Sequence, residues 1–149
     1  MSVTIKVKKL RPHAKLPEFK TTGAAGADLY AAFDHASVAK PSIGPGETKL
    51  IETGISVEIP EGYEMQIRSR SGLAVKGLFV TNGPGTIDSD YRGEVKVILT
   101  NTGEEIVYIG QGDRIAQAVI SALTPTLYRE VEELIETERS EGGFGSTGA

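Results

Sequence analysis

The sequence predicts an all-β protein, folded as a barrel or jelly roll. Short runs of apolar residues alternate with polar ones, and Gly, Pro, Asn or Asp bounds each run. This is the pattern of strands with one buried face in an antiparallel sheet. The 149 residues include 18 glycines and seven prolines, which supply turns at about the spacing that a barrel or jelly roll requires. At most one short helix is expected.

The strands follow from the alternating runs, taken in chain order. Their apolar positions are Val3, Ile5 and Val7; Ile55, Val57 and Ile59; Tyr63, Met65 and Ile67; and Val95, Val97 and Leu99. Further on, IVYIGQGDRIAQAVISAL (residues 106–123) predicts two strands around a Gly-Gln-Gly turn. The strand prediction therefore covers much of the chain.

Two segments fit this pattern less well. SGLAVKGL (71–78) starts with a serine and predicts a short helix. YREVEELIE (128–136) fits helix and strand patterns almost equally, and we expect a strand there. Residues 1–138 are expected to form one domain. The last eleven, RSEGGFGSTGA (139–149), have the composition of a flexible linker. Fully extended, they reach at most about 36 Å, far enough to cross to a neighbouring subunit.

Composition limits the function. The net charge of −4, from 16 basic and 20 acidic side chains, argues against a sequence-blind nucleic-acid binder but allows a local pocket for a small anion. There is no cysteine, so disulfides and thiolate metal sites are excluded. His13 and His35 are far apart, and we expect both to be solvated. No apolar run approaches about 18 residues and the N-terminus has no signal core, so we expect a cytoplasmic protein without membrane spans.

Five stretches are richer in Gly, Ser, Asp and Arg than a sheet requires. They are AAGADLYAA (24–32), RSRSGLAVKG (68–77), NGPGTIDSDYRG (82–93), GDRIAQ (112–117) and the tail. In the first, Asp28 is either a turn or cap residue or a carboxylate that orders water around a metal. In the second, the residues from Arg68 to Gly72 form either an ordinary helix cap or an anion site of amides and guanidinium groups.

The third and fourth stretches leave similar choices open. Gly83-Pro84-Gly85 predicts the tip of a β-hairpin. Asp88 and Asp90, two residues apart, would share one face of a regular strand. They suggest a base, a metal ligand or both, and the alternative is a polar loop. Tyr91 could be core, a stacking platform or a gate. In GDRIAQ we expect Asp113 and Arg114 to form a surface ion pair, whereas the amide of Gln117 could reach into a site.

In this order, the five stretches resemble the five motifs of the trimeric deoxyuridine triphosphate nucleotidohydrolases (dUTPases). The resemblance extends from about residue 20 to the C-terminus, and IDSDYRG and EGGFG are its most specific parts. It implies a distorted jelly-roll β-barrel assembled as a homotrimer. It also implies active sites at subunit interfaces, with the tail of one chain closing over a site formed by two others. The implied reaction is Mg²⁺-dependent hydrolysis of dUTP, between the α and β phosphates, to dUMP and pyrophosphate.

The resemblance also implies a role for individual residues. Asp88 resembles the general base that deprotonates the attacking water, and Tyr91 the aromatic residue that packs on the deoxyribose and rejects a 2′-hydroxyl. Asp28 resembles the carboxylate that meets the hydration shell of Mg²⁺. Gln117 resembles the amide that holds the water or the α-phosphate. The other expected substrate-binding residues are Arg70, Ser71 and Gly72 at the phosphates; Asn82, Gly85, Thr86 and Ile87 at the uracil; and Arg139, Phe144, Gly145, Ser146 and Thr147 in the tail.

Three alternatives to this activity differ in the residues they require. The dCTP deaminases resemble dUTPases, but carry a catalytic glutamate just before the glycine that closes the third motif. Here that position is Arg92, which disfavours deamination. A catalytically silent nucleotide-binding relative should have lost the base or the tail arginine, and this chain has both Asp88 and Arg139. A nonenzymatic β-barrel interaction module would need neither of these residues.

Overall fold

The computed structural model describes residues 2–34 and 41–146. This part of the chain contains ten strands and one four-residue helix. The strands are β1 (Lys6–Lys9), β2 (Ala27–Tyr30), β3 (Ser42–Ile43), β4 (Thr48–Glu58), β5 (Tyr63–Arg68), β6 (Leu78–Val80), β7 (Gly85–Ile87), β8 (Glu94–Asn101), β9 (Val107–Tyr108) and β10 (Arg114–Ala122). The helix, α1, spans Ser71–Ala74 between β5 and β6.

The strands form two four-stranded sheets and one small sheet, and all the strand pairings are antiparallel. The first sheet has the order β1-β4-β8-β6, the second β2-β10-β5-β7, and β3 pairs with β9. Both large sheets contribute to one apolar core. Its residues include Ile51, Ile55, Val57, Val95, Val97 and Leu99 from the first sheet and Leu29, Met65, Ile67, Ile115, Ala116 and Ala118 from the second. The predicted all-β fold with one short helix is confirmed.

The alternation of apolar residues places the predicted faces of β5 and β8 correctly, whereas Val3 of the first predicted run is exposed and lies outside β1. On β8, Val95, Val97 and Leu99 are fully buried, while the residues between them are exposed or half-buried. Pairing is irregular at two places: the register of β10 with β2 shifts between Arg114 and Ala116, and that of β4 with β8 shifts between Glu52 and Ser56. Gly54 lies in the second irregularity with a φ of +66°, and a Cβ there would lie 2.9 Å from that of Ala14. Glycine is therefore required at this bulge.

The expected hairpin around Gly83-Pro84-Gly85 is wrong. The strands on either side, β6 and β7, belong to different sheets, since β6 pairs with β8 and β7 pairs with β5. The turn therefore carries the chain from one sheet to the other. Asp88 and Asp90 also depart from the expectation, because β7 ends at Ile87 and both lie beyond it without sharing a strand face.

The strand expected at 128–136 is also wrong, because this segment is neither strand nor helix in the structure. Tyr128, Leu134 and Ile135 are almost fully exposed, so no described part of the same chain covers their apolar surface. A strand requires a partner edge, and the folded part of this chain does not bring one to this segment.

The structure also bears on the expectations for the histidines and for membrane spans. His13 is half-buried and its Nε2 lies 2.7 Å from the carbonyl oxygen of Phe33, so it is not simply solvated. His35 lies outside the described residues. Among the described residues, no helix has the length and apolar character needed to cross a membrane.

Candidate active site

One cavity of about 250 Å³ opens where β2, β10 and the start of α1 meet. Three of the five motifs meet there, because residues of the first, second and fourth motifs line the cavity together. The lining residues are Lys20, Ala24, Gly26, Asp28, Arg70, Ser71, Gly72, Arg114 and Gln117. The fold thus gathers Asp28, Arg70, Ser71, Gly72 and Gln117 from three separate segments. We call this space the anion cavity.

Asp28 is the buried anion of this cavity. It lies on β2 with only 7% of its surface exposed. The Nε of Arg70 is 3.2 Å from its Oδ1, and the Nη1 of Arg114 is 3.1 Å from its Oδ2. Both carboxylate oxygens therefore face a guanidinium group, which offsets the desolvation of a buried charge.

The expected surface pair between Asp113 and Arg114 is wrong. Arg114 extends to Asp28 instead, while Asp113 accepts a hydrogen bond of 2.6 Å from the backbone amide of Gly110. The carboxylate of Asp113 thus stabilises the turn before β10, and the side chain of Arg114 extends into the cavity. Sequence reasoning missed Arg114 as a cavity residue because only the pairing of β10 with β2 brings it near Asp28.

Gln117 is held by the segment that leads into α1. Its Nε2 donates a 3.0 Å hydrogen bond to the carbonyl of Ser69. In the sheet it lies opposite Asp28 on one side and Arg68 on the other. A Cβ at Gly26 would lie 2.5 Å from the Oε1 of Gln117, so the small residue there makes room for the amide. The amide is therefore fixed beside Asp28.

The start of α1 forms the remaining wall. Arg70 is the residue before the helix, and its Nη1 donates to the carbonyl of Arg114 at 3.0 Å. The amides of Leu73 and Ala74 bond to the carbonyl of Arg70. In a helix the first amides have no acceptor within the helix itself, so Ser71 and Gly72 present donors that suit an anion.

Asp88 and Tyr91 line a different cavity, also about 250 Å³, which we call the tyrosine cavity. Its other residues are Leu50, Thr86, Ile87, Glu94, Lys96 and Ile98. The carboxylate of Asp88 is exposed. Tyr91 is 43% exposed, and its hydroxyl donates to the carbonyl of Glu94 at 3.0 Å. Asn82 lies nearby in the chain, exposed, with its Nδ2 3.1 Å from where a Cβ on Gly85 would be.

The tail residues lie apart from both cavities. Arg139 is exposed and its Nε donates to the carbonyl of Gly142 at 2.8 Å. Phe144 is fully exposed with a φ of +50°, and Gly145 follows with a φ of +88°. Ser146 is exposed, and Thr147 lies outside the described residues. One chain thus presents the expected site residues in three separate groups.

The donor set near Asp28 limits how a metal could bind. Within the described residues, no three His, Cys, Asp or Glu side chains are grouped to hold a metal ion. Both oxygens of Asp28 already face guanidinium groups. The residues present therefore fit a metal contacted through water, with direct ligands from a bound phosphate, as Mg²⁺ prefers. They do not fit a site made by protein ligands alone.

The fold and the anion cavity define a class: an all-β protein whose small, arginine-lined cavity suits a phosphorylated ligand. The family model described as dUTPase matches residues 12–148. The deoxyuridine 5'-triphosphate nucleotidohydrolase of Nautilia profundicola is 54% identical over 145 residues, covering 97% of this chain and 98% of the relative. That of Syntrophotalea carbinolica is 50% identical over 148 residues, covering 99% and 98%. The chain belongs to the dUTPase family.

Solved structures agree with this assignment. The Staphylococcus bacteriophage 80alpha dUTPase with dUpNHpp matches with a TM-score of 0.85 at 30% identity, over 98% of this chain and 99% of that chain. A mutant dUTPase of phage phi11 of S. aureus, described with the coordination of a structural Mg(II) ion, matches with a TM-score of 0.76 at 26% identity. This match covers 87% of this chain and 97% of that one.

Proposed function

We propose that the protein is a dUTP diphosphatase, which hydrolyses dUTP to dUMP and pyrophosphate by attack of water on the α-phosphate. This activity would limit uracil in DNA and supply dUMP for thymidylate synthesis. The observation that carries the proposal is the anion cavity, where Asp28, Arg70 and Gln117 from three motifs meet. The named relatives, about half identical over nearly the whole chain, support the choice of substrate.

Charge explains why the cavity suits this reaction. A triphosphate carries about four negative charges, which repel an anionic nucleophile and must be screened by cations. Arg70 and Arg114 supply two guanidinium groups, and the amides of Ser71 and Gly72 supply donors. Gln117 adds a neutral amide, which could hold the water or the α-phosphate. The cavity can therefore bind phosphate oxygens.

Asp88 is the proposed general base. Its exposed carboxylate lies at the end of β7, beside Tyr91. A carboxylate can deprotonate a water held within about 3 Å of it. Asp88 does not line the anion cavity of the same chain, and we therefore propose that different subunits bring the two cavities together.

Mg²⁺ is the proposed cofactor, and when bound it would neutralise charge on the phosphate oxygens. Asp28 would orient its water shell rather than bind it directly, since Arg70 and Arg114 already hold both carboxylate oxygens. The phage phi11 dUTPase, a structural relative described with a Mg(II) ion, supports this choice of metal.

A homotrimer is the proposed assembly. Its support is the division of the site into three groups on one chain, together with the bare apolar side chains of Leu127, Tyr128, Leu134 and Ile135. Exposed apolar residues in a segment without a partner suit packing against another copy. Residues 139–149 are proposed as an arm that closes over a site of two other subunits, separate from the domain of residues 1–138.

Selectivity is assigned to two surfaces. Tyr91 would pack on the deoxyribose and leave no room for a 2′-hydroxyl. Asn82 and the backbone from Gly85 to Ile87 would pair with the uracil edge, so that cytosine would leave buried polar groups unsatisfied. From the arm, Arg139 would neutralise the γ-phosphate and Phe144 would stack over uracil. The remaining arm residues proposed to contact substrate are Gly145, Ser146 and Thr147.

A dCTP deaminase is not favoured. At the position of its catalytic glutamate this chain has Arg92, whose Nη1 donates to the carbonyl of Ser89 at 2.7 Å.

Since the proposed substrate is a nucleotide of DNA metabolism, we place the enzyme in the cytoplasm.

The proposed function is tested by incubation with dUTP, UTP, dCTP and dTTP in the presence of Mg²⁺, with pyrophosphate and ammonia measured in parallel. Pyrophosphate from dUTP alone is expected. Ammonia from dCTP would show a deaminase instead. An absence of turnover with all four nucleotides would show a silent nucleotide-binding relative or a nonenzymatic module.

A further inference from the structure

Lys20 lies on the wall of the anion cavity but belongs to none of the five motifs. It precedes the first motif by four residues, and it lines the cavity with Asp28, Arg70 and Gln117. Residue type and spacing around position 20 offer no signal for such a role. The placement follows from the strand pairing that brings this segment against β2.

That pairing fixes the segment firmly. Glu18 forms a bridge with Asp28, in which the amide of Asp28 donates to the carbonyl of Glu18 at 2.8 Å and the amide of Glu18 returns a bond of 3.2 Å. Lys20 is therefore only two residues from a backbone anchor on Asp28. The backbone of Lys20 is thereby held beside the cavity, and its side chain is partly exposed.

Two side chains that do not line the cavity, those of Glu18 and Tyr30, position the ammonium group of Lys20. The Nζ of Lys20 donates to the Oε2 of Glu18 at 2.6 Å, and the buried Tyr30 donates its hydroxyl to the same oxygen at 2.7 Å. The Nζ also lies 5.5 Å from the centre of the Tyr30 ring, within the range of a cation–π contact. Glu18 itself does not line the cavity.

The charges of the cavity make Lys20 the cation that a phosphate can recruit. Asp28 faces both Arg70 and Arg114, whereas the partner of Lys20 is an exposed carboxylate. Exposed ion pairs are weak because water screens them, so exchanging Glu18 for a phosphate oxygen costs little. The hydrogen bond to Glu18 raises the pKa of Lys20, and a lysine amine is charged at neutral pH with or without this contact.

We propose that Lys20 is a further substrate-binding residue, whose ammonium group leaves Glu18 and binds a phosphate oxygen of the triphosphate, while Glu18 and Tyr30 hold it when the cavity is empty. This inference rests on the proposed function for the identity of the nucleotide. The contact between Lys20 and a phosphate does not depend on the proposed function, because any linear triphosphate would recruit the same cation.

The test is calorimetric titration of the wild type and variants with two probes, dUpNHpp and inorganic tripolyphosphate, in the presence of Mg²⁺. Lys20→Gln should weaken both probes by about two- to fivefold, the range for loss of one partly exposed charge contact. Lys20→Arg keeps the charge and should restore most of the affinity. Lys6→Gln is the matched control, because Lys6 also pairs with an exposed glutamate, Glu58 at 2.7 Å, but does not line the cavity. It should bind both probes like the wild type.

The outcomes separate this inference from the proposed function. If Lys20→Gln binds both probes like the wild type while the wild type hydrolyses dUTP, the role of Lys20 is wrong and the activity stands. If tripolyphosphate binding depends on Lys20 but dUTP is not hydrolysed, the role stands and the activity is wrong. An equal loss of affinity in Lys20→Gln and Lys6→Gln would show that the loss comes from net charge alone, and would overturn the inference. A wild type that binds neither probe would overturn it as well.

Discussion

Two glycines show how closely the backbone approaches the side chains of the candidate site. A Cβ on Gly26 would lie 2.5 Å from the Oε1 of Gln117, and one on Gly93 would lie 2.3 Å from the hydroxyl oxygen of Tyr91. Real Cβ atoms do not approach other atoms so closely, so a larger residue at either position must displace the polar end of its neighbour. The absence of a side chain at Gly26 and Gly93 therefore leaves the space that the amide of Gln117 and the phenol of Tyr91 occupy.

Replacing Gly93 by alanine should move Tyr91. The ring must leave the space that the new methyl group occupies, and the hydroxyl should lose its bond to the carbonyl of Glu94. Because Tyr91 is proposed to exclude a 2′-hydroxyl, the ratio of kcat/KM for dUTP over UTP should fall by about tenfold or more. Gly23→Ala is the control, since a Cβ there has nothing within 4 Å. An unchanged ratio in Gly93→Ala would contradict the role of Tyr91.

Asp88 and Asp90 allow a matched test of the general base. Asp88 lines the tyrosine cavity and Asp90 does not, although both are exposed carboxylates two residues apart. Asp88→Asn should bind dUpNHpp but lose on the order of 10²–10⁴ in turnover, as expected when a general base is removed. Asp90→Asn should lose much less. Near-normal turnover in Asp88→Asn, measured as pyrophosphate release, would show that another group activates the water.

At the scale of elements, a charge cluster joins the segment after β1 to β4 and β8. Arg11 contacts Glu94 at 2.5 Å and Glu52 at 2.9 Å, and the amide of Gly54 donates to Glu94 at 2.8 Å. The hydrogen bond to Glu94 raises the pKa of Arg11. The side chains of Arg11 and Glu94 are only 18% and 13% exposed, so water can replace the lost contacts only in part.

Arg11→Leu should therefore destabilise the fold. Glu94 would remain largely buried without its closest cation, a loss of about 1–3 kcal/mol for a partly buried pair. Chemical denaturation should show the change as a lower midpoint at an unchanged slope. Lys6→Leu removes an exposed pair with Glu58 and should have little effect. Equal stability of Arg11→Leu and the wild type would mean that the cluster adds nothing to the fold.

The elements also show what the sequence can and cannot predict. Alternation identified the buried faces of β5 and β8, because the period of two depends only on which face meets the core. It could not tell which sheet a strand joins, and so the segment around Gly83-Pro84-Gly85 was expected to be a hairpin although it connects two sheets. Arg114 and Lys20 were missed as cavity residues for the same reason, since their positions depend on pairing with β2 and with Asp28.

For the whole molecule, the exposed C-terminal segment is the feature that one chain alone does not explain. Side chains from Leu127 to Ile135 are exposed to a degree unusual for large apolar residues. Truncation after Glu138 removes only the arm beyond this segment. It should leave a folded trimer by sedimentation, with poor turnover because Arg139 and Phe144 are lost. An unchanged rate would show that the arm has no part in the reaction, and a stable active monomer would contradict the assembly.

A site built from three chains makes a stronger prediction for mixed assemblies. Asp88→Asn and the truncation after Glu138 should each be nearly inactive alone. When the two are coexpressed, a truncated chain can supply an intact Asp88 and an Asp88→Asn chain can supply an intact arm to the same site. With random assortment, half of the base donors and half of the arm donors are intact, so about a quarter of the sites should be active. If base and arm instead came from the same chain, coexpression would restore no activity, and pyrophosphate release by the whole coexpressed population of trimers distinguishes the two arrangements.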